Sequence, residues 1–318
     1  MKLLQIFFNL DQSTNSISEP LHGKGAFFYI EPVTIHSSNA LLERPPQGIP
    51  LEVRREICII TYVNHMGQII VTDDGFVGLF LREEQDQQAI EFLNTIFASA
   101  RLLWGIEGYI VRLWERCNFE WIPNSRYISI TSRAIVERNI FSLQRDGDDQ
   151  AFENWKTIPR RLITPTMMEQ TIQFADDVLS NQDIHMDLIL LFDGFTLYYK
   201  GAYTAAYLYG WMMIETFVGK IWDNYIESIN RSRKDKDTLK DNNRWTTYHH
   251  IEMLSMVNKM NDGARDLLHK LRRKRNSIVH DRREVNETDA SNCLFIADRI
   301  LRNRFNNPDT PFVNIREE

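Results

Sequence analysis

The chain reads Leu271-Arg-Arg-Lys-Arg-Asn-Ser-Ile-Val-His-Asp281 near its C-terminus, which places an arginine, an amide and a histidine around the end of one predicted helix. Arg275 carries a permanently charged guanidinium fork that matches a phosphate group. The histidine is His280, and imidazole is the side-chain group that both takes and gives a proton near neutral pH. With Asn276 between them, these residues predict phosphodiester chemistry that needs no metal. The alternative interpretation is the basic end of a solvated helix.

The predicted helix over Gly263–His280 separates an apolar stripe from a polar face. The apolar positions are Ala264, Leu267, Leu271 and Ile278. The polar positions, at steps of three or four residues, are His269, Arg272 or Arg273, Asn276 and His280. Arg275 follows Leu271 by four residues and therefore falls within the apolar stripe, where a charge is costly unless it is paired or faces a cleft. The spacing of Asn276 and His280 predicts that these two side chains meet.

The charge of the chain is concentrated in this segment. The net charge is −6, but Arg265–Arg283 contains eight Lys/Arg against two Asp, or +6, so the remaining chain carries −12. An acidic body with one basic segment predicts a local anionic ligand. A solvated helix face would give the same charge pattern, and charge alone leaves both interpretations open.

Helical periodicity dominates the chain from Thr164 onward and predicts an all-α bundle. The segment Thr157–Pro165, with two prolines and two arginines, is the candidate boundary. We expect the stretch Arg231–Arg244, which is polar and charge-mixed, to be a mobile loop. The other predicted helices are Thr166–Ser180, Ile184–Tyr198, Ala202–Ile229, Trp245–Val257 and Thr288–Arg302.

The first 160 residues mix strand and helix signals and predict an α+β domain. The predicted strands are Leu3–Leu10, Ala26–Glu31, Glu56–Val63, Gln68–Thr72, Tyr109–Trp114 and Tyr127–Thr131. One helix is predicted over Glu83–Leu103. Gly23-Lys-Gly25 is interpreted as a turn, because a single G-x-G lacks the rest of a phosphate-binding fingerprint.

Other polar residues of the chain are assigned structural roles. Arg244 and His249 repeat the spacing of Arg275 and His280, but no amide follows Arg244, and we interpret this copy as chance. We expect the three scattered cysteines to be reduced and mostly buried. They are Cys58, Cys117 and Cys293. The histidines His65, His185, His249 and His250 show no metal-ligand spacing. Glu215 lies on a largely apolar helix, where a structural partner role is favoured over catalysis.

The stretch Arg275-Asn-Ser-Ile-Val-His280, on a penultimate helix and preceded by Tyr207-Leu-Tyr-Gly-Trp-Met-Met-Ile-Glu215, resembles the HEPN superfamily. The resemblance is closest to the Apea-type branch found in prokaryotic defence proteins. It covers roughly residues 165–305, whereas residues 1–160 are only loosely similar to the N-terminal halves of such proteins. That looser similarity lies in Asp74-Gly-Phe-Val-Gly-Leu-Phe-Leu81 and in the helix that contains Leu93-Asn94.

The resemblance implies a metal-independent endoribonuclease, a toxin or antiviral effector that acts as a homodimer through the motif helix. Arg275 would hold the scissile phosphate, His280 would transfer protons for attack by the ribose 2′-hydroxyl, and Asn276 would orient the histidine. No metal or cofactor is implied, and RNA is the expected partner. The residues expected to help bind the substrate are Arg272, Arg273, Lys274 and Glu215. The loop Arg231–Arg244 would cover or reposition the cleft.

Two other functions stay open at this point. In the first, the bundle is a catalytically inactive module that binds RNA, a nucleotide or a partner protein. In the second, it is a purely structural dimerisation bundle. We expect an α+β sensing or regulatory domain at 1–160, the bundle at 164–305 and a tail at 306–318. The charge split predicts that the acidic body restrains the basic helix. With no apolar run of about 18 residues and no signal peptide, we expect a soluble cytoplasmic protein that does not bind membranes.

Overall fold

The structure is a computed structural model in which an α+β N-terminal part is followed by a helical bundle. The described residues are 21–27, 33–35, 54–73, 75–80, 86–113, 116–121, 127–132, 161–241, 244–306 and 312. Their arrangement confirms the predicted fold class.

Strands are numbered here in chain order. They are β1 (Leu21–Phe27), β2 (Val33–Ile35), β3 (Arg54–Val63), β4 (Gly67–Thr72), β5 (Phe76–Leu79), β6 (Cys117–Trp121), β7 (Tyr127–Ser132) and β8 (Arg161–Ile163). Six of them form a closed antiparallel barrel in the order β1, β5, β4, β3, β7 and β6, and β6 pairs again with β1. The short strands β2 and β8 pair in parallel outside the barrel.

Gly23 and Gly25 lie within β1, so the prediction of a turn there is wrong. Both residues are in register with neighbouring strands, and Gly23 pairs with Phe119 of β6. A Cβ atom on Gly23 would lie 2.4 Å from the Phe119 ring. The aromatic filling of the barrel therefore requires glycine at this position.

The strand predictions over Glu56–Val63, Gln68–Thr72 and Tyr127–Thr131 are confirmed. The strand predicted over Ala26–Glu31 overlaps β1 only at its first two residues, and the remaining positions lie outside the described residues. Leu3–Leu10 also lies outside them.

The strand predicted over Tyr109–Trp114 is wrong, because residues 109–112 are irregular. The Asn94 side chain pairs with both backbone groups of Val111: its amide oxygen accepts from the backbone N–H at 2.7 Å, and its amide nitrogen donates to the carbonyl at 2.9 Å. The backbone N–H of Ile110 donates to Thr196 Oγ1 at 2.9 Å. Side chains therefore satisfy the backbone groups that a strand would have paired.

The helices are also numbered in chain order. They are α1 (Asp86–Trp104), α2 (Pro165–Leu179), α3 (Gln182–Tyr199), α4 (Tyr203–Ser228), α5 (Arg233–Leu239), α6 (Thr247–Met256), α7 (Asp262–Asp281) and α8 (Glu287–Asn306). All helices predicted from periodicity are confirmed within a few residues. Within the described ranges, no helix is long and apolar enough to cross a membrane.

The helix α1 joins the N-terminal part to the bundle. It is buried along most of its length and contacts β1, α2 and α3. Arg302 of α8 donates to the carbonyls of Arg101, at 3.0 Å, and of Leu102 at the end of α1. Thr95 is bonded to His185 of α3 at 2.9 Å. The helix α1 therefore packs on the helices that follow, and the domain boundary near residue 160 stays a prediction.

The stretch predicted as a mobile loop over Arg231–Arg244 contains α5, which corrects that prediction. Ser232 caps this helix by accepting from the backbone N–H of Asp235 at 3.2 Å. Lys236 and Lys240 form ion pairs with Glu227 at the C-terminal end of α4. Local capping and ion pairs thus order a segment that has almost no apolar periodicity.

Candidate functional site

The motif lies on α7, and the sequence explains where this helix begins and ends. Asn261 caps its N-terminus by accepting from the backbone N–H of Ala264 at 2.8 Å. Arg282 ends it in the left-handed conformation, with φ of 54°, and its N–H donates to the Ser277 carbonyl. The hydroxyl of Tyr207 on α4 donates to the Leu271 carbonyl at 2.8 Å, which fixes the middle of α7 against the bundle.

Arg275 occupies the position that the sequence predicts, in line with the buried residues Leu271 and Ile278. The side chain is only half-buried, because neighbouring helices cover α7 less completely towards its C-terminal end. Its Nη1 donates to Oδ1 of Asn276 at 3.2 Å. Among the described residues, no carboxylate forms an ion pair with this guanidinium. Arg275 is therefore a cation on the apolar stripe that has no charged partner among the described residues.

His280 lies in the last turn of α7 and is exposed. In the part of the chain that the structure describes, its ring has no hydrogen-bond partner. Asn276 and His280 share a face, but no hydrogen bond joins them. The amide oxygen of Asn276 accepts from Arg275. The predicted orienting contact between Asn276 and His280 is thus not made in the protomer.

The cations around the motif differ in their pairing. Arg265, near the start of α7, lies 2.9 Å from Asp266 and 3.3 Å from Asp262. Lys274 is bonded to Asp289 of α8 at 2.6 Å, so its ammonium is already engaged. Within the described ranges, the guanidinium groups of Arg272, Arg273 and Arg275 form no ion pair, and these three arginines lie within one helical turn.

Glu215, the predicted acidic helper, has its described contact with α6. It accepts a hydrogen bond of 2.5 Å from the hydroxyl of Thr247, in the first turn of α6. A carboxylate at a helix N-terminus interacts favourably with the helix dipole. The contacts that the structure gives for Glu215 are therefore structural, and a role in binding substrate stays a prediction.

The helix α5 does not lie over the motif. It contacts α4 through Glu227, whereas α7 contacts α4 through Tyr207. These two residues are separated by twenty positions, which is about 30 Å along a helix. The expectation that this segment covers the cleft is not supported by the position of α5.

The second Arg-x4-His copy has a structural explanation. His249 accepts at Nδ1 from the backbone N–H of Thr246 at 3.3 Å and so closes a capping box at the start of α6. Arg244 forms an ion pair with Asp241. The motif on α7 lacks such partners, and this difference separates two segments that share the same spacing.

The remaining histidines noted in the sequence also have local partners. His250 is buried and stacks on Trp222 with ring centroids 5.5 Å apart, and this burial lowers its pKa. His185 is bonded to Thr95, and His65 to the buried Asp176. Of the cysteines, Cys58 is half-buried and Cys293 buried, and each carries a thiol. The side chain of Cys117 lies outside the described residues. Among the residues described, no three potential metal ligands cluster.

One cluster beside the motif was missed from the sequence. The Tyr248 ring lies 5.0 Å from the His269 ring and 5.0 Å from the Arg272 guanidinium carbon. His269 is buried and its Nε2 lies 2.8 Å from Glu252 Oε1. Burial lowers the pKa of His269 more than Glu252 raises it. The polar face of α7 was visible in the sequence, but nothing local indicates that Tyr248 of another helix meets it.

The unpaired arginines, the exposed imidazole and the adjacent aromatic ring together form a surface that can bind a phosphate and transfer a proton. Comparison of the chain with protein-family models, with curated proteins and with solved structures finds no match.

Proposed function

We propose that the chain is a metal-independent endoribonuclease that acts as a homodimer in the cytoplasm, as a toxin or antiviral effector. The observation that carries this proposal is Arg275, a guanidinium without an ion-pair partner in the described chain, held on the apolar stripe of α7 five residues before the exposed His280. A basic helix end that is merely solvated has no reason to place its cation on the packed side, because burial of an unpaired charge is unfavourable.

The proposed reaction uses groups of this chain alone. The imidazole of His280 removes the proton from a ribose 2′-hydroxyl, whose oxygen attacks the adjacent phosphorus. The bond from phosphorus to the 5′-oxygen breaks, and the partner's His280 gives a proton to the leaving oxygen. Arg275 holds the phosphate through its fork of donors and stabilises the charge that develops on it. The products are a 2′,3′-cyclic phosphate and a 5′-hydroxyl.

The dimer is proposed from the surface of α7 that the protomer leaves uncovered. Val279 is 50% exposed, although Arg275 lies one turn and the buried Leu271 about two turns before it on the same side of the helix. Apposition of two such surfaces would cover Val279 and bring two copies of the basic segment together. These two positively charged copies repel one another unless a phosphate lies between them. The proposed interface is therefore also the proposed binding site for the RNA substrate.

The direct test compares the two Arg-x4-His copies. Purified wild-type chain, His280→Ala and His249→Ala are incubated with labelled RNA in EDTA. Loss of a general acid or base lowers turnover by about 10²–10⁴-fold, so His280→Ala is expected to be nearly inactive. His249→Ala is expected to keep the chemical step, because this ring caps α6 and packs on Trp245 and Tyr248 and takes no part in the proposed proton transfer. Equal activity of the His280→Ala and wild-type proteins would reject the proposal.

A catalytically inactive RNA-binding module is the second candidate. It is favoured by one observation, that Asn276 pairs with Arg275 and leaves His280 without an orienting partner in the protomer. Under this function, wild-type protein binds single-stranded RNA in the same assay but leaves it intact.

We propose a sensing or regulatory role for residues 1–160, which contain 15 Lys/Arg against 20 Asp/Glu and so carry −5 of the −12 that lies outside the basic segment. A chain that starts at Thr164 would lose this restraint and become more toxic in cells, and His280→Ala would abolish the toxicity. Such a chain also lacks α1, which contacts α2 and α3. If it is insoluble while the full chain cleaves RNA unaided, the N-terminal part is a structural component and not a brake.

A further inference from the structure

Tyr248 and Arg272 form a pair of groups that neither the packing of the bundle nor the proposed reaction uses. The Tyr248 ring is 42% exposed at the start of α6. The guanidinium carbon of Arg272 lies over this ring, 5.0 Å from its centroid. In the described part of the chain, the Tyr248 hydroxyl makes no hydrogen bond and Arg272 no ion pair.

The ring is held in place from its protein side. His269 lies beneath it at 5.0 Å between centroids, with an angle of 42° between the two planes. His269 is itself fixed by Glu252 through a contact of 2.8 Å. Because burial lowers the pKa of His269, this supporting ring favours its neutral form. Tyr248 is therefore held between His269 and Arg272, and a ligand can contact the exposed part of the ring together with this guanidinium.

We propose that Tyr248 and Arg272 form a subsite that stacks an unpaired nucleobase of the RNA, next to the phosphate held by Arg275. This inference rests on the proposed ribonuclease function. Arg272 precedes Asn276 by one turn, about 6 Å along the helix axis. A base on Tyr248 thus belongs to a nucleotide close to the scissile bond.

The part of this pair that distinguishes a base from a phosphate is the Tyr248 ring, because a phosphate would bind the Arg272 guanidinium alone. An aromatic face and a guanidinium plane both stack on nucleobases. Because a stacked base has to leave its own helix, the subsite makes the enzyme prefer single strands over duplex RNA.

The test measures binding in full-length protein that carries His280→Ala, so that the probe is not degraded. The probe is a fluorescein-labelled single-stranded RNA of random sequence, followed by anisotropy at fixed salt. Removal of a stacking ring costs about fivefold to 150-fold in Kd. Tyr248→Ala and Tyr248→Leu are expected to show this loss, whereas Tyr248→Phe is expected to bind like the parent. Tyr62→Ala is the matched control, since Tyr62 is an exposed tyrosine on the barrel strand β3.

The outcomes separate this inference from the function on which it rests. If the parent binds RNA and Tyr248→Leu binds equally well, the subsite is wrong while the nuclease stands. If Tyr248→Leu weakens binding but wild-type protein does not cleave, the subsite stands and the nuclease fails. Absence of RNA binding by the parent overturns both. Sedimentation without RNA completes the set, because dissociation of a dimer by Tyr248→Leu would assign the ring to an interface between copies and reject the subsite.

Discussion

The two halves of α7 differ in what surrounds them. In residues 262–271, the stripe is buried at Ala264, Leu267, Leu268 and Leu271, and the charge of Arg265 is paired with acids. In residues 272–281, only Ile278 of the stripe is buried, and three arginines have no ion-pair partner in the described chain. One helix is thus a structural element over its first half and an uncovered, positively charged surface over its second half.

The difference teaches that composition alone does not identify a site on a basic helix. Both halves contain arginine at regular spacing, and the sequence left a solvated face open as an explanation. A solvated face pairs its charges or points them to water, as Arg265 does with its aspartates. The second half instead keeps Arg275 in line with buried side chains, which favours the interpretation of this surface as an anion-binding site.

The strongest contrast between the halves is expected from arginine substitutions. Arg275→Ala should lower RNA cleavage by about 10²–10³-fold, since it removes a donor to the developing charge on the phosphate. Arg275→Lys should also be poor, because an ammonium cannot offer the bidentate fork. Arg265→Ala is the matched control and should cleave at the wild-type rate. Equal losses from both arginines would mean that the helix acts only through its overall charge.

Stability should show the opposite contrast. Leu271→Ala is expected to lower the free energy of unfolding by about 2–5 kcal/mol, because it leaves a cavity in the packed half. Val279→Ala should change the stability of the protomer by less than about 0.5 kcal/mol, since its side chain is half exposed. Urea unfolding followed by circular dichroism measures both. A large destabilisation by Val279→Ala would show that the second half is packed after all.

Assembly is expected to depend on the uncovered half. Val279→Asp should convert a dimer into a monomer, because a carboxylate would be buried at the proposed interface without a partner. Sedimentation velocity reports the change, and Met256→Asp, on an exposed residue at the end of α6, serves as the control. A wild-type chain that sediments as a monomer in the presence of RNA would contradict the proposed dimer.

The smallest expected effect is a pH dependence of stability from the buried histidines. Burial lowers the pKa of His185, His250 and His269, so the unfolded chain binds more protons than the folded one below pH 6.5. Stability is therefore fully present above this pH and falls as the pH drops through 6.5 towards the folded-state pKa values. Thermal melts between pH 8 and 5 should show a falling midpoint, and His269→Gln should reduce the slope. A midpoint that rises on acidification would contradict the assignment.

Periodicity was sufficient to predict the long helices, because each has an apolar face that repeats over several turns. Periodicity failed where contacts of individual side chains, and not a repeating apolar face, determine the backbone conformation. Residues 109–112 have the composition of a strand, but Asn94 and Thr196 satisfy their backbone groups. The helix α5 has no apolar stripe and depends on Ser232 and on ion pairs with Glu227.

In the candidate site, too, the positions along one helix could be predicted from the sequence, whereas the contacts between helices could not. Spacing along α7 was enough to place Arg275 on the stripe and His280 at the helix end. The meeting of Tyr248 with Arg272 depends on how α6 packs against α7, which no local pattern encodes. The contact of Glu215 with Thr247 is of the same kind, and it places the carboxylate at the start of α6.

The most direct test of the central claim, that the second half of α7 is a ribonuclease surface, is the fate of random-sequence RNA and of matched DNA in the presence of EDTA. We predict that full-length protein cleaves the RNA, leaves 2′,3′-cyclic phosphate or 3′-phosphate ends, and does not cut the DNA, because the nucleophile is the ribose 2′-hydroxyl. RNA that stays intact, cleavage that requires added magnesium, or equal cleavage of the DNA would contradict the claim.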